Sequence, residues 1–151
     1  MSLQERLVAE MKEAMRAGNQ AKLSVIRLLR ASIKNREIEK GKSNPLTEQE
    51  LLEVVVSSVK QRRDSIEQFA KGGRQDLVEK EEKEVEILKA FLPQPLTREE
   101  LIEKAKEVIQ ETGAQSPKDM GKVMKALMSQ VVGRVEGAIV SQVVKDLLTQ
   151  A

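Results

Sequence analysis

Thr47-Glu48-Gln49-Glu50-Leu51-Leu52-Glu53-Val54-Val55-Val56 is the stretch on which the fold turns. Val54 to Val56, three consecutive β-branched residues, favour a strand by local preference. The residues before them favour a helix. Thr47 and Glu50 form a capping box, in which a hydroxyl and a carboxylate satisfy first-turn N–H groups. Leu52, Val55, Val59, Ile66 and Phe69 then recur at helical spacing as far as Gly72-Gly73, longer than a strand runs. The cap and the length of the pattern decide for helix.

The same punctuation repeats upstream. Ser2-Leu3-Gln4-Glu5 is a second capping box, followed by Leu3, Leu7, Met11 and Met15 at helical spacing and a stop at Gly18. A further helix runs from about Asn19 to Lys40 and is closed by Gly41. Its apolar positions (Leu23, Val25, Ile26, Leu28, Leu29, Ile33) cover most of the circumference, which predicts a central helix. Gly41 to Leu46, with Pro45, reads as a loop. Downstream, Gly72-Gly73 lacks the Lys-Ser/Thr of a phosphate loop and reads as a turn. A fourth helix spans about Gln75 to Phe91. Its charge run Glu79 to Glu84 is expected to be a solvated face, with Glu79 and Lys83 spaced to pair.

Pro93-Gln94-Pro95 marks the domain boundary, because two prolines in three residues hold the chain extended. Thr97-Arg98-Glu99-Glu100 opens a new helix that Gly113 closes. Ser116-Pro117-Lys118-Asp119 places a cap, a first-turn proline and an acid together. That helix ends near Gly133, and Ile139, Val140, Val143, Val144, Leu147 and Leu148 stripe the last one. The expected fold is all-α: a four-helix N-terminal domain over 1–95 and a small three-helix C-terminal domain over 96–151. The small domain is short enough to need support from packing.

Composition excludes much chemistry. The 151 residues contain no Cys, His, Trp or Tyr, and two Phe. Zinc sites of thiolate or imidazole, thiol nucleophiles and histidine acid–base catalysis are thereby ruled out. The acids sit at caps or on alternating faces, so no catalytic residue, metal or cofactor is expected. Lys and Arg number 26 against 24 Asp and Glu, so any basic site must come from local clustering. The N-terminus has no apolar leader segment and no apolar run reaches the ~18 residues of a membrane span. With Cys missing as well, a cytosolic protein that does not cross a membrane is expected. Base stacking would have only Phe69 and Phe91 to use, so nucleic acid would be read by backbone and shape.

Local clusters do exist. Arg27, Arg30 and Lys34 fall within roughly 60° on the second helix at 100° per residue. Lys60, Arg62 and Arg63 group on the third. Lys118, Lys122 and Lys125 line one face of the helix after Ser116, with Arg134 past its end. Each set could hold phosphates or be a solvated face. On that same helix Met120, Met124 and Met128 recur every four residues, which suits core filling or an adaptable partner groove. Gly121 weakens this helix by about 1 kcal/mol relative to alanine. Close helix approach or backbone access for a ligand would explain it.

The run Asp119-Met120-Gly121-Lys122-Val123-Met124, with Gly133-Arg134-Val135-Glu136-Gly137, resembles the YqeY-like family. So do Lys22-Leu23-Ser24-Val25-Ile26-Arg27, Lys60-Gln61-Arg62-Arg63-Asp64-Ser65 and Ile87-Leu88-Lys89-Ala90-Phe91-Leu92-Pro93, so that the likeness covers the whole chain. Val135-Glu136 stands where members often have Ala-Asp. That family is similar to the tail of the GatB subunit of glutamine-dependent tRNA amidotransferases. The resemblance implies a helical domain followed by a three-helix domain, and a link to tRNA through Gly121, Lys122, Gly133 and Arg134. The amidotransferase's catalytic portion has no counterpart here. The leading expectation is a non-catalytic module binding tRNA or other structured RNA. The alternative is a protein-interaction module accessory to an amidotransferase or synthetase complex. A carbon–nitrogen ligase using glutamine as amido donor ranks last.

Overall fold

The computed structural model describes residues 1–41 and 43–150, so Lys42 of the expected 41–46 loop lies outside the described residues. Among the described residues the chain is all-helical, with seven α-helices and one 3₁₀ turn. They are α1 (Leu3–Ala17), α2 (Gln20–Lys40), α3 (Glu48–Lys71), α4 (Gln75–Lys89), α5 (Arg98–Thr112), the 3₁₀ turn Pro117–Asp119, α6 (Met120–Val131) and α7 (Gly137–Gln150). The Val54–Val56 run is helical. None of these helices is long and apolar enough to cross a membrane. The chain divides into two compact units, Met1–Leu92 and Pro93–Ala151.

In the first unit the caps form as their residues dictate. The Ser2 Oγ accepts the Glu5 N–H at 3.2 Å while Glu5 accepts that of Ser2. Asn19 caps α2 through the Lys22 N–H at 3.1 Å. Gly18 takes φ 69°, a left-handed value that residues with a β-carbon rarely adopt. Helix α2 packs against α1, α3 and α4, and its Val25, Ile26 and Leu29 are buried with Leu7, Val55, Leu88 and Phe91. It is less wrapped than its sequence predicts, since Leu28 is 56% exposed. On α3 the buried stripe is Leu51, Val54, Val55 and Val59, while Leu52, Ile66 and Phe69 are half-buried.

Three expectations for α4 are corrected. The helix ends at Lys89, so Phe91 enters the core from the following turn, with the Arg6 guanidinium 4.8 Å from its ring centroid. Arg6 also donates to the Ala90 carbonyl at 2.7 Å. The charge run is not a uniformly solvated face, because Glu84 is buried and, with Glu81, accepts from Arg62 of α3. Glu79 and Lys83 do not pair; the acids of the run that form ion pairs are the ones α3 can reach.

The Thr47 cap has a pH consequence. Glu50 accepts from Lys40 and from the Thr47 N–H, and these bonds, Lys40 first, hold its carboxyl at about 2. Because the folded value lies below the unfolded one, the contribution is complete above the ordinary carboxylate range and fades as pH falls toward about 2. The melting-temperature gap between the natural chain and Glu50→Gln should therefore be widest near neutrality and shrink steadily below pH 4.5. A gap independent of pH would show that the charge contributes nothing.

The second unit has its own core of Leu101, Ala105, Val108, Val123, Leu127, Val131, Val140, Val143, Val144 and Leu148. Its first residues are bound into it: Leu96 N–H donates to the Arg134 carbonyl at 3.0 Å, and Arg134 Nε donates to the Gln94 carbonyl at 2.9 Å. Gly133, at φ 78°, makes the turn that brings Arg134 to them.

Candidate nucleic-acid interface

The C-terminal cluster is assembled by the junction of the 3₁₀ turn with α6. Val123, Leu127 and Val131 are fully buried, which fixes the rotation of α6 about its axis. Gly121, Lys122 and Lys125 are consequently exposed, and Lys118 is exposed on the turn before them. Among the described residues none of the three lysines forms an ion pair. The nearest acid in sequence is committed elsewhere: Asp119 Oδ2 accepts the Gln115 N–H at 3.0 Å. That bond holds its carboxyl below the usual range against an opposing contribution from burial, helped by the Ser116 N–H and the Lys122 charge. Ser116 does not cap the turn with its side chain, contrary to expectation, because the Asp119 carboxylate closes it instead.

Gly121 sits in the first turn of α6, and a β-carbon built there meets nothing within 4 Å. Close helix approach, one of the two explanations offered by the sequence, is thereby excluded. Gly121→Ala should raise stability by about 0.5 kcal/mol, since it removes backbone freedom from the unfolded chain without a clash. A denaturant titration would show this, and a loss of stability would reveal a constraint on this backbone that packing does not explain.

Arg134 is half-buried, with its Nε bound to the linker carbonyl, so it works first as a clasp. Gly133 is half-buried in the turn beside it. Sequence spacing could not have found that clasp, which joins residues forty apart. The methionine stripe is neither core nor free surface: Met120, Met124 and Met128 are half-buried against the core of the second unit.

The other clusters lie in the first unit and behave differently from each other. Arg27, Arg30 and Lys34 are all exposed on α2. Lys60, Arg62 and Arg63 do not form one surface. Lys60 and Arg63 are exposed, whereas Arg62 has a side chain only 15% exposed and lies between Glu81 and Glu84. It lines a groove of about 420 Å³ between α2, α3 and α4, where its charge is more than neutralised. Arg62 is therefore withdrawn as a phosphate contact.

Among the described residues the fold is all-helical, and Lys118, Lys122 and Lys125 are exposed together on the second unit. The chain belongs to the YqeY-like family, whose pattern matches residues 4–148. Its relatives include altered inheritance of mitochondria protein 41, mitochondrial, of Pyrenophora tritici-repentis, 32% identical over 95% of this chain and 79% of the relative. The protein of the same name from Eremothecium gossypii is 41% identical over 57% of this chain and 46% of its own length. That from Saccharomyces cerevisiae is 39% identical over 58% and 47%. The matched region spans about half the length of these two yeast relatives. These names correct the cytosolic expectation, since the relatives are designated mitochondrial. Missing thiols are compatible with more than one compartment, so that feature could not fix it.

Proposed function

We propose that the chain is a non-catalytic module that binds tRNA or another structured RNA, with its primary contact on Lys118, Lys122 and Lys125. The observation that carries this reading is an exposed face of three lysines, none of them ion-paired among the described residues. Gly121 adds open backbone beside that face, the remaining explanation for a glycine inside a helix. Only Phe69 and Phe91 are aromatic, the first half-buried and the second in the core, so contact goes to phosphates rather than to stacked bases. In this reading the four-helix and three-helix units act as separate domains, and Gly133 and Arg134 hold the linker while the lysines hold the ligand.

The test is binding of the purified chain to total tRNA at two salt concentrations, beside a Lys122→Glu/Lys125→Glu variant. Salt-sensitive binding that the variant loses while remaining helical supports the reading, and no binding at low salt ends it. A second reading, an accessory module for a protein partner, draws on the half-buried methionine stripe. It requires a partner captured after nuclease treatment and lost with Met124→Asp in a folded chain.

A further inference from the structure

We infer that the first unit carries a second, independent phosphate-contacting surface, the row Arg27, Arg30 and Lys34 on α2. The inference rests on the RNA-binding reading of the second unit and adds a contact that the lysine face does not supply.

The starting observation is a charge asymmetry in the sequence. No Asp or Glu lies between Glu13 and Glu37, a stretch holding Arg16, Lys22, Arg27, Arg30, Lys34 and Arg36. In a chain whose charges nearly cancel, acids would be expected to interleave. The structure then sorts these cations. Lys22 reaches Glu10 at 2.9 Å and Arg36 reaches Glu53 at 3.4 Å. Among the described residues Arg27 and Lys34 form no ion pair, and the Arg30 guanidinium donates to the Met11 sulfur at 3.3 Å. Glu37, the next acid along the helix, accepts from Gln4 instead of pairing with Lys34. The three side chains are exposed, while Ile26, Leu29 and Ile33 anchor the helix in the core beneath them. Their rotation is therefore set by packing rather than by their own charges.

Seven residues of helix place the row over about 10 Å of axis. One strand of a B-form duplex carries about three phosphates over that length. Arginine also suits phosphate, because its planar fork can take two oxygens at once. A membrane surface fits less well. It needs a continuous apolar stripe beside the cations, and α2 exposes only single apolar residues, Ile38 one turn beyond Lys34 and Leu28 about 100° round the helix from Arg27. Two contact surfaces on units joined by a short segment raise the effective concentration of the second contact once the first is made.

The experiment uses the full chain and total tRNA, followed by fluorescence anisotropy between 50 and 200 mM salt. Arg27→Glu/Arg30→Glu/Lys34→Glu is compared with the natural chain and with Lys122→Glu/Lys125→Glu, helicity being checked for each. The triple variant should bind roughly 100-fold more weakly at the low-salt end, with a salt slope smaller by about 2 to 3. The neutral Arg27→Gln/Arg30→Gln/Lys34→Gln variant, which keeps the chain lengths close, should lose about the same slope. Unchanged affinity and slope in both α2 variants would overturn the inference while leaving the lysine face intact. No tRNA binding by the natural chain would overturn both readings. Binding to phosphatidylserine vesicles or polyglutamate through this row, with tRNA binding unaffected by its loss, would assign the row to another polyanion and overturn the inference.

Discussion

Arg62→Ala is expected to destabilise the first unit by about 3 kcal/mol, the scale for removing one member of a mostly buried charge cluster. For a unit of this size that corresponds to a fall in melting temperature of roughly 12 °C or more. The guanidinium is 15% exposed and serves two carboxylates, Glu81 at 18% and Glu84 at 10%. Truncation leaves two acids facing each other with little water and no counter-charge, so the penalty comes from what remains rather than from the bond lost. Removing the whole cluster tests this reasoning. Arg62→Met/Glu81→Gln/Glu84→Leu should recover most of the stability, since no charge is then stranded. Thermal melts of the two variants decide. A loss below about 1 kcal/mol in Arg62→Ala would place the cluster among ordinary surface ion pairs. Neither variant should alter tRNA binding, because Arg62 is turned inward.

Lys122→Glu/Lys125→Glu is expected to weaken tRNA binding about 100-fold at 50 mM salt, and to lower the salt slope by about 2. Each lysine that contacts a phosphate releases roughly one counterion, and charge reversal adds repulsion to the loss. Both side chains point away from the buried Val123, Leu127 and Val131, so the fold of the second unit should be indifferent to the change. That separation makes the measurement decisive: circular dichroism reports the fold, and the salt titration reports the contact. An unchanged slope in the variant would remove the lysine face from the interface, whatever the affinity of the natural chain.

Much of the architecture was legible because helix signals are local. Ser2 with Glu5, Thr47 with Glu50 and Thr97 with Glu100 each form the reciprocal cap their spacing announces. Gly18, Gly73 and Gly113 adopt the positive φ that a helix stop or tight turn requires. Even Val54–Val56, strand-like in isolation, followed the cap and the long apolar period. Family membership was legible too, through short motifs spread along the chain. The compartment was not, since it was argued from residues the chain lacks.

The candidate site was less visible. Lys60, Arg62 and Arg63 are adjacent in sequence, yet successive helical residues point about 100° apart. Only the position of α4, with Glu81 and Glu84, decided that the middle cation turns inward. Arg134 was readable as a cation and unreadable as a clasp, because its partner, the Gln94 carbonyl, is distant in sequence and bears no side-chain signature. Gly121 could have meant tight packing or open backbone, and only its neighbours in space could choose. The sequence by itself determined the helices, their ends and the rows of cations, since these depend on contacts within four residues. The tertiary structure alone decided which cations are free, because ion pairs such as Arg62–Glu84 join residues that only packing brings together.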